Sequence, residues 1–431
     1  YQGLYIYLSA RKERRDLLLS QRPPRFDESL DSMISRSEDD FTRIALKAKA
    51  AQDYFLLIGP PGTGKTSCAL KKMVETFHAD KDAQILLLSY TNRAVDEICK
   101  SLASIAPAVD FIRVGSELSC DEAYRGHLIE NELSSCNRRS EVYERIRNCR
   151  IIVGTVVAIS GKPELFCLKH FDVAIIDEAT QILEPQLLGI LCARGEDGKD
   201  AIDKFVLIGD HKQLPAVVQQ NTEQSAIYDE SLLSIGLTNL KDSLFERLYR
   251  NCTATVHRSY DMLCRQGRMH PEVALFANRA FYGGRLIPVG LPHQIESSDT
   301  ICRLAFYPSV PEKAGASAKI NYSEARIVAD LAARIYEDHQ TDFDESRTLG
   351  IITPYRSQIA LIKKEIESLG IPALNRILVD TVERFQGSER DVIIYSFCVN
   401  YPYQLKFLSN LTEEEGVLID RKLNVALTRA R

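Results

Sequence analysis

The segment Gly-Pro-Pro-Gly-Thr-Gly-Lys-Thr at residues 59–66 constrains the fold of this chain more than any other segment. It follows an apolar run at 55–58, which predicts a buried strand, and it precedes a helical pattern over 66–77. In a strand–loop–helix with the spacing GxxxxGK[ST], backbone N–H groups turn toward phosphate oxygens and the helix N-terminus adds positive potential. A plain Gly/Pro turn with a surface lysine is the alternative, which the register with strand and helix disfavours. The candidate phosphate-binding residues are Gly59, Gly62, Thr63, Gly64, Lys65 and Thr66.

Similar apolar runs recur along the chain and alternate with helical patterns, which predicts an α/β fold with parallel strands covered on both faces. Two such parallel-sheet domains are expected, with a junction near residue 250. The segment 115–150 is polar and lacks a strand pattern, so we expect a helical insertion there. The further predicted strands are 85–88, 151–153, 173–176, 205–208, 349–353, 377–380 and 392–397, and the predicted helices of the second half are 271–280, 323–338 and 355–368.

The first 25 residues are basic, with six basic and two acidic side chains. The pattern predicts a short strand at 5–8 and an amphipathic helix at 10–20, which ends before the prolines at 23 and 24. A solvated helix face is one explanation of this charge.

Composition excludes several classes of protein. The 431 residues include 54 Lys+Arg and 59 Asp+Glu, and a net charge of −5 excludes a grossly basic protein that coats nucleic acid, although a local basic groove stays possible. The eleven cysteines form no CxxC pair, which argues against a disulfide scaffold, a zinc ribbon or a cysteine-ligated cluster. The longest apolar run, 151–159, is too short to span a bilayer, and no signal peptide is visible. We therefore expect an intracellular protein of the cytoplasm, nucleus or nucleoid, with no membrane partner.

Two carboxylates, Asp177 and Glu178, come directly after the apolar run 173–176. Ligands of open parallel sheets bind at the carboxyl ends of strands, where these side chains are expected. Asp177 could then hold Mg²⁺ together with Thr66, and Glu178 could act as general base toward water. An acidic helix start is the simpler alternative.

Three further polar residues fit phosphoryl transfer. Gln213 follows the run 205–208 and could orient water or sense the γ-phosphate, although a segment of this kind directly after a strand is, taken alone, more typical of a plain turn. Arg268 and Arg429 could place cations on the developing negative charge, although each could also be a solvated or structural arginine.

Taken together, these segments resemble the superfamily 1B helicases, the branch that holds the nonsense-mediated-decay RNA helicase and the replicative nuclease-helicases. The resemblance spans 55–431. Its motifs, in order, are GPPGTGKT (59–66), SYTNRAVDEI (89–98), GTVVAI (154–159), DEATQ (177–181), GDHKQLP (209–215), QGRMHP (266–271), ITPYRSQ (352–358), DTVERFQGSERDVII (380–394) and LNVALTRAR (423–431).

The resemblance implies the motor core of a longer protein, with two RecA-like domains of the P-loop NTPase class and ATP and Mg²⁺ between them. The first domain is expected at 36–250 with its insertion at about 105–150, and the second at 251–431 with a further strand beyond the chain end. The segment 1–35 would be a basic stalk, the remnant of an inserted accessory domain. The implied activity is 5′-to-3′ movement along single-stranded DNA or RNA, which the sequence does not distinguish.

The resemblance also implies roles for single residues. Lys65, Asp177, Glu178, Gln213, Arg268 and Arg429 would be catalytic, and Glu389 would bind the ribose. Small hydroxyl and amide side chains suit sequence-blind contact with a nucleic-acid backbone. Those expected to do so are Thr91, Asn92, Thr155, Thr353 and Thr381.

The sequence departs from the family pattern at the position of the base. The family usually carries a glutamine upstream of the phosphate loop to read adenine, and 38–44 contains none. The usual QYRMHP has Gly267 in place of tyrosine. Two other functions stay open at this point: an AAA-type protein remodeller, in which the later motifs have no place, and a nucleic-acid-binding scaffold, which would not need the intact catalytic set.

Overall fold

The computed structural model describes residues 2–255, 257–296, 302–312, 317–414 and 416–431, without the side chains of 254, 255 and 257. The chain divides into two compact units. The first comprises Tyr1–Pro60, Gly64–His211 and Pro215–Leu263, and the second comprises Pro61–Thr63, Lys212–Leu214 and Cys264–Arg431. In the part that the structure describes, no helix has both the length and the apolar character needed to cross a membrane.

The first unit contains a seven-stranded sheet in the order β3-β4-β2-β5-β6-β1-β7, in which every neighbouring pair is parallel. Its strands are β1 (Tyr54–Ile58), β2 (Ile85–Ser89), β3 (Phe111–Val114), β4 (Ile151–Thr155), β5 (Phe171–Ile176), β6 (Ile202–Gly209) and β7 (Tyr260–Met262). Because all strands run the same way, the loops that follow their carboxyl ends lie along one edge of the sheet.

Helices cover both faces of this sheet. They are α1 (Gln2–Ser9), α2 (Lys12–Leu18), α3 (Asp31–Arg36), α4 (Asp40–Ala50), α5 (Lys71–His78), α6 (Asn92–Ala103), α7 (Ile129–Glu132), α8 (Arg139–Asn148), α9 (Val156–Ser160), α10 (Glu164–Leu168), α11 (Glu184–Leu191), α12 (Glu230–Ser234) and α13 (Leu244–Thr255). Successive residues of β1 enter two different cores, with Leu56 and Ile58 on one face and Phe55 and Leu57 on the other.

The second unit contains a smaller parallel sheet in the order β11-β10-β12. The strands of this sheet are β10 (Leu349–Ile352), β11 (Leu378–Asp380) and β12 (Val392–Tyr395). Two separate pairs are the parallel β8 (Arg265–Gln266) and β9 (Ile287–Pro288) and the antiparallel β13 (Leu411–Glu414) and β14 (Val417–Asp420). Its helices are α14 (Pro271–Tyr282), α15 (Pro292–Ile295), α16 (Tyr322–Asp338), α17 (Arg356–Ser368), α18 (Val382–Phe385), α19 (Leu405–Leu408) and α20 (Arg421–Leu427).

The predicted α/β class with parallel sheets is confirmed, and each predicted strand from residue 55 onward has a counterpart. Two local predictions differ from the structure, because residues 5–8 are helical and β3 lies inside the range of about 105–150 expected to be a helical insertion. Five other observed strands have no predicted counterpart: β7, β8, β9, β13 and β14. A short apolar run does not by itself distinguish a strand from a buried helix, which explains the first difference.

The helix α1 packs closely against α11. A Cβ atom on Gly3 would lie 2.6 Å from the Pro185 carbonyl oxygen, and one on Gly189 would lie 2.9 Å from the Gly3 Cα. The two glycines therefore let the backbones of α1 and α11 approach more closely than side chains would allow.

An ion-pair cluster joins the basic N-terminal segment to the start of β1. Asp53 is buried and accepts paired hydrogen bonds from Arg22, at 2.8 and 2.9 Å, and from Arg25, at 2.9 and 3.1 Å. Burial alone would raise the pKa of Asp53, but the two guanidinium groups outweigh burial and hold the pKa well below its usual range. Two of the six basic residues at 1–25, Arg22 and Arg25, therefore pair with a buried carboxylate of the fold.

Candidate functional site

The phosphate loop connects β1 to the π-helical segment Lys65–Leu70, which continues into α5. Gly62 and Gly64 have left-handed backbone conformations, with φ of 72° and 74°, which strain most residues that carry a side chain. A Cβ atom on Gly59 would lie 2.7 Å from the Lys65 Cβ, so glycine is needed for the loop to close against the lysine. The spacing of glycines in the motif therefore has a steric basis.

Two side-chain contacts join this loop to the acidic pair that follows β5. The Lys65 Nζ lies 2.6 Å from Glu178 Oε1, and the Thr66 hydroxyl donates a 2.5 Å hydrogen bond to Asp177 Oδ2. β6 lies between β1 and β5 in the sheet, and the parallel order places both loops at the same edge. Four residues that the sequence selects for phosphate, metal and base roles thus meet in the first unit.

Neighbouring groups hold the acidic pair in a fixed orientation. Asp177 Oδ1 accepts from the Glu178 N–H at 2.8 Å, and the Ser89 hydroxyl donates to the Asp177 carbonyl at 3.2 Å. The Gln181 amide donates to Glu178 Oε2 at 2.9 Å. Glu178 has a left-handed backbone with φ of 54°, which is strained for a residue with a side chain. Sequence reasoning did not identify the contacts of Ser89 and Gln181, although both residues stand within the quoted motifs.

The charges in this cluster shift one another's ionisation. Burial disfavours the charged form of Lys65, but Glu178 and Asp177 outweigh burial and raise the pKa of Lys65 above its ordinary value. Burial, with help from the Glu178 charge, raises the pKa of Asp177, against the opposing effect of Lys65. Lys65 therefore keeps its charge at neutral pH and supplies the cation that two adjacent carboxylates require.

Thr66 and Asp177 suit a magnesium ion by the chemistry of their donors. Mg²⁺ prefers hard oxygen ligands, and these two residues offer a hydroxyl and a carboxylate oxygen 2.5 Å apart. The Asp177 side chain is buried beside the phosphate loop, which limits competition from bulk water. The residues present therefore fit the ion that the sequence implies.

An aromatic ring also lies beside the loop. Phe41, on α4, belongs to the stretch 38–44 in which the family glutamine is missing. Its Cζ is 3.6 Å from the position that a Cβ atom on Gly64 would take. Sequence reasoning did not select Phe41, because a single aromatic residue on an apolar helix face is an ordinary core residue.

In the second unit, Arg429 is buried and Gln213 lies within its reach. The guanidinium donates to the carbonyl oxygens of Val425 at 3.0 Å and Ser388 at 3.3 Å, to the Thr428 hydroxyl at 3.2 Å and to Gln213 Oε1 at 3.5 Å. Two residues selected independently from the sequence, the glutamine and an arginine, are thus in contact.

Arg268 and Glu389 form an ion pair within the same unit. The Arg268 Nε lies 2.6 Å from Glu389 Oε2, and its Nη1 donates to the Thr428 carbonyl at 3.1 Å. Burial would raise the pKa of Glu389, but Arg268 outweighs burial and lowers it. The residues expected to bind phosphate and ribose are therefore bound to each other in this structure.

The candidate nucleic-acid contacts of the first unit stand at strand ends. Thr91 and Thr155 cap α6 and α9, and their hydroxyls accept from the Ala94 N–H at 3.2 Å and the Ala158 N–H at 3.1 Å. β2 and β4 are neighbours, so both caps lie on the same edge. Asn92 is the first residue of α6.

The second unit repeats this placement. Thr353 and Thr381 directly follow the neighbouring strands β10 and β11. Thr353 is fully buried, and its hydroxyl has no hydrogen-bond partner among the described residues. Thr381 is partly exposed and precedes α18. Contact of Thr353 with a nucleic acid would therefore require the segment around it to move.

Comparison with known proteins gives matches along most of the chain. Two family models, each described as "AAA domain", match it, one over residues 36–142 and 130–221 and the other over 240–431.

Curated relatives match over nearly the whole of this chain. It is 29% identical to the DNA replication ATP-dependent helicase/nuclease DNA2 of Xenopus laevis, with 98% of this chain and 40% of that protein covered. It is 24% identical to the DNA polymerase alpha-associated DNA helicase A of Saccharomyces cerevisiae, with 94% and 65% covered. The chain thus spans about two fifths of the length of the first of these relatives.

A solved structure of an arterivirus nonstructural protein 10 (helicase) with DNA matches at a TM-score of 0.42 and 16% identity, covering 90% of this chain and 60% of that one. A match at this level supports no conclusion about function.

Proposed function

The chain belongs to the superfamily 1B helicases, and from that membership we propose that it is the ATP-hydrolysing motor of a longer helicase that moves along single-stranded nucleic acid. The proposal extends to the chain what the names of its relatives say of those proteins, which are an ATP-dependent helicase/nuclease and a DNA helicase.

One observation carries the proposal. Lys65, Thr66, Asp177 and Glu178 meet through contacts of 2.5 and 2.6 Å, although more than a hundred residues of sequence separate the loop from the acidic pair. A structural ion pair would need only Lys65 and Glu178. The added hydroxyl–carboxylate pair and the left-handed glycines are what phosphate and Mg²⁺ binding require.

Each residue then has a chemical task in hydrolysis. The Lys65 ammonium binds phosphate oxygens and offsets their charge. Glu178 accepts the proton of the attacking water at Oε1, the atom that now contacts Lys65, while Gln181 holds Oε2. When bound, Mg²⁺ neutralises charge on the phosphates, and Thr66 and Asp177 are the residues that would hold it.

Residues of the second unit supply further positive charge. Arg268 and Arg429 are the candidate cations for the developing charge, and Gln213 is the candidate sensor of the γ-phosphate. Both arginines donate hydrogen bonds to protein groups in this structure. In the proposed mechanism, Glu389 binds the ribose once Arg268 turns to phosphate.

The track in this proposal is single-stranded DNA, followed 5′ to 3′. Support for DNA comes from the names of the relatives, and support for the direction comes from the resemblance of the motifs. The contacts would come from Thr91, Asn92, Thr155, Thr353 and Thr381, whose short polar side chains suit sequence-blind phosphate contact. We further propose that the protein works where DNA is replicated, inside the cell, joined to the other domains of its longer chain.

Displacement of streptavidin from biotinylated strands tests direction and track together. With ATP, the chain should free streptavidin from the 3′ end of single-stranded DNA faster than from the 5′ end, and faster than from RNA of the same sequence at the same salt. Faster release from RNA would show that RNA, not DNA, is the track. Faster release from the 5′ end would show that the chain moves 3′ to 5′. ATP hydrolysis with no effect of either strand would favour a protein remodeller.

A further inference from the structure

Three aromatic side chains of the second unit, the partly exposed Tyr401 and the exposed Tyr403 and Phe407, form a surface group that we call the aromatic cluster. The rings of Tyr401 and Tyr403 are stacked, with centroids 5.7 Å apart and planes inclined by 15°. The Phe407 ring meets Tyr403 edge-on at 6.3 Å. Tyr403 is 54% exposed and Phe407 is 64% exposed. Large apolar groups grouped in this way on a surface mark a contact site more often than isolated ones do.

Hydrogen bonds fix the segment that carries the cluster. Gln404 is buried and accepts from the N–H groups of Asn400 and Tyr401, each at 2.9 Å. Its amide donates to the Ala318 carbonyl at 2.7 Å and to the Tyr355 hydroxyl at 3.2 Å. Gln404 thus ties the segment of the cluster to neighbouring backbone, which lowers the entropy cost of ordering it on binding.

The position of the cluster connects it to the candidate backbone contacts. Its segment follows β12, which pairs in parallel with β10, the strand directly before Thr353. Gln404 contacts Tyr355, two residues beyond Thr353. Two exposed basic side chains belong to these segments: Arg356 directly follows Tyr355 at the start of α17, and Lys406 directly precedes Phe407 in α19.

We propose that the aromatic cluster is a stacking platform for unpaired nucleobases, with Tyr403 and Phe407 as the contacting rings. The inference rests on the proposed nucleic-acid track. Aromatic faces combined with cations are the usual composition of sites for single strands, because every base has a π-face and every nucleotide has a phosphate. Such a platform grips the strand without reading its sequence, as a translocating motor requires.

Comparing a single strand that carries bases with one that lacks them separates base stacking from contact with the phosphate backbone. The binding of the full chain to a fluorescent thymidine oligonucleotide of about 20 nucleotides, and to an abasic strand of the same length, is measured by anisotropy at one salt concentration. Tyr403→Ala and Phe407→Ala should each raise the Kd for the thymidine strand about tenfold and leave the Kd for the abasic strand within about twofold. Tyr403→Phe keeps the ring and should bind like the wild type. Tyr228→Ala, which removes an 82% exposed tyrosine of the first unit, is the matched control.

Several results would overturn the platform. Equal losses on both strands would mean that the cluster acts through folding or phosphate contact, and no loss on either would exclude it from the track. Unchanged DNA binding combined with loss of self-association in Tyr403→Ala would assign the cluster to a second copy of the chain. Failure of the wild type to bind any single strand would instead refute the proposed function, and the platform with it.

Discussion

The Lys65 ammonium and the Glu178 carboxylate stand 2.6 Å apart, so the cation expected to bind phosphate and the group expected to activate water neutralise each other. Lys65 contributes its charge to the acidic pair, whose other member, Asp177, is buried. A phosphate that enters the loop must compete with Glu178 for the ammonium. In the proposed mechanism, phosphate displaces Glu178 from the ammonium and the freed carboxylate acts as the base, which would couple substrate binding to activation of the base.

Glu178→Gln should therefore separate binding from chemistry. The amide keeps the shape of the side chain but is a weaker competitor for Lys65, so ATP should bind at least as tightly as in the wild type. Turnover should fall about 100-fold or more, because general-base catalysis typically contributes 10²–10⁴-fold. The dissociation constant from fluorescent-nucleotide titration and the rate of phosphate release check both parts. Near-normal turnover would reject Glu178 as the base.

Lys65→Ala should show the opposite pattern of effects. Loss of a charged hydrogen bond to phosphate costs about 1.5–3 kcal/mol, so ATP should bind roughly tenfold to a hundredfold more weakly. The variant also leaves Glu178 and Asp177 without their cation. Nucleotide titration measures the loss, and Lys72→Ala, a lysine of α5 outside the loop, is the control. An unchanged dissociation constant would remove Lys65 from the phosphate site.

Arg268→Ala should reduce turnover without weakening ATP binding in proportion. Loss of an arginine that meets transition-state charge typically costs about 10³-fold or more. Glu389→Gln is the matched control, because it removes the ion-pair partner and keeps the arginine. This control should mainly raise KM, through lost ribose contact. If both variants only raise KM to the same extent, the ion pair is structural and Arg268 is no arginine finger.

Discrimination among nucleotide bases should be weak. Phe41 places an aromatic ring beside Gly64, and stacking on an aromatic ring is nearly indifferent to base identity. The stretch 38–44 contains no glutamine, and Gly267 stands where the family usually has tyrosine. We expect kcat/KM for GTP and CTP within about tenfold of that for ATP, equivalent to ~1.4 kcal/mol. Phe41→Ala should raise KM for all four nucleotides alike. A preference for ATP of several hundredfold would reveal an edge-reading group.

Asp53→Asn should destabilise the first unit in a pH-dependent way. At neutral pH, the loss of the charge shared by Arg22 and Arg25 should cost about 2–4 kcal/mol. The folded pKa of Asp53 lies below its unfolded value of about 4, so its contribution is present above pH 4 and declines as the pH falls toward the folded pKa. Urea unfolding of wild type and variant at pH 7 and near pH 3 should show a gap that narrows in acid. A gap that stays constant would contradict the assignment.

The sequence predicts that Lys65, Thr66, Asp177 and Glu178 lie at one edge of the first sheet, because each of them follows a strand that a local pattern indicates. The strand at 55–58 and the glycines of the phosphate loop lie within a dozen residues of each other. The order of the motifs then indicates which acidic residues lie beside the loop. What escapes prediction depends on distant contacts. The ion pair of Arg268 and Glu389 joins residues 121 positions apart, and no periodic pattern announces it. The close approach of Gly3 to Gly189 likewise joins residues far apart in the sequence.

The aromatic cluster escaped for a similar reason. Tyrosine is found both in cores and on surfaces, so the sequence does not show where Tyr401 and Tyr403 lie. Only the fold shows that their rings are stacked and that Tyr403 is exposed. Thr353 is the opposite case. The motif predicts that it contacts nucleic acid, but the structure shows its side chain buried inside the second unit.

The rate of phosphate release with and without single-stranded DNA tests the central claim most directly. For the wild type, saturating DNA should accelerate hydrolysis at least about tenfold, because a motor couples its chemistry to its track. Glu178→Gln should stay slow with or without DNA, while still binding both ligands. Hydrolysis that is absent in the wild type, or equally fast without any strand, would contradict the account of this chain as a nucleic-acid motor.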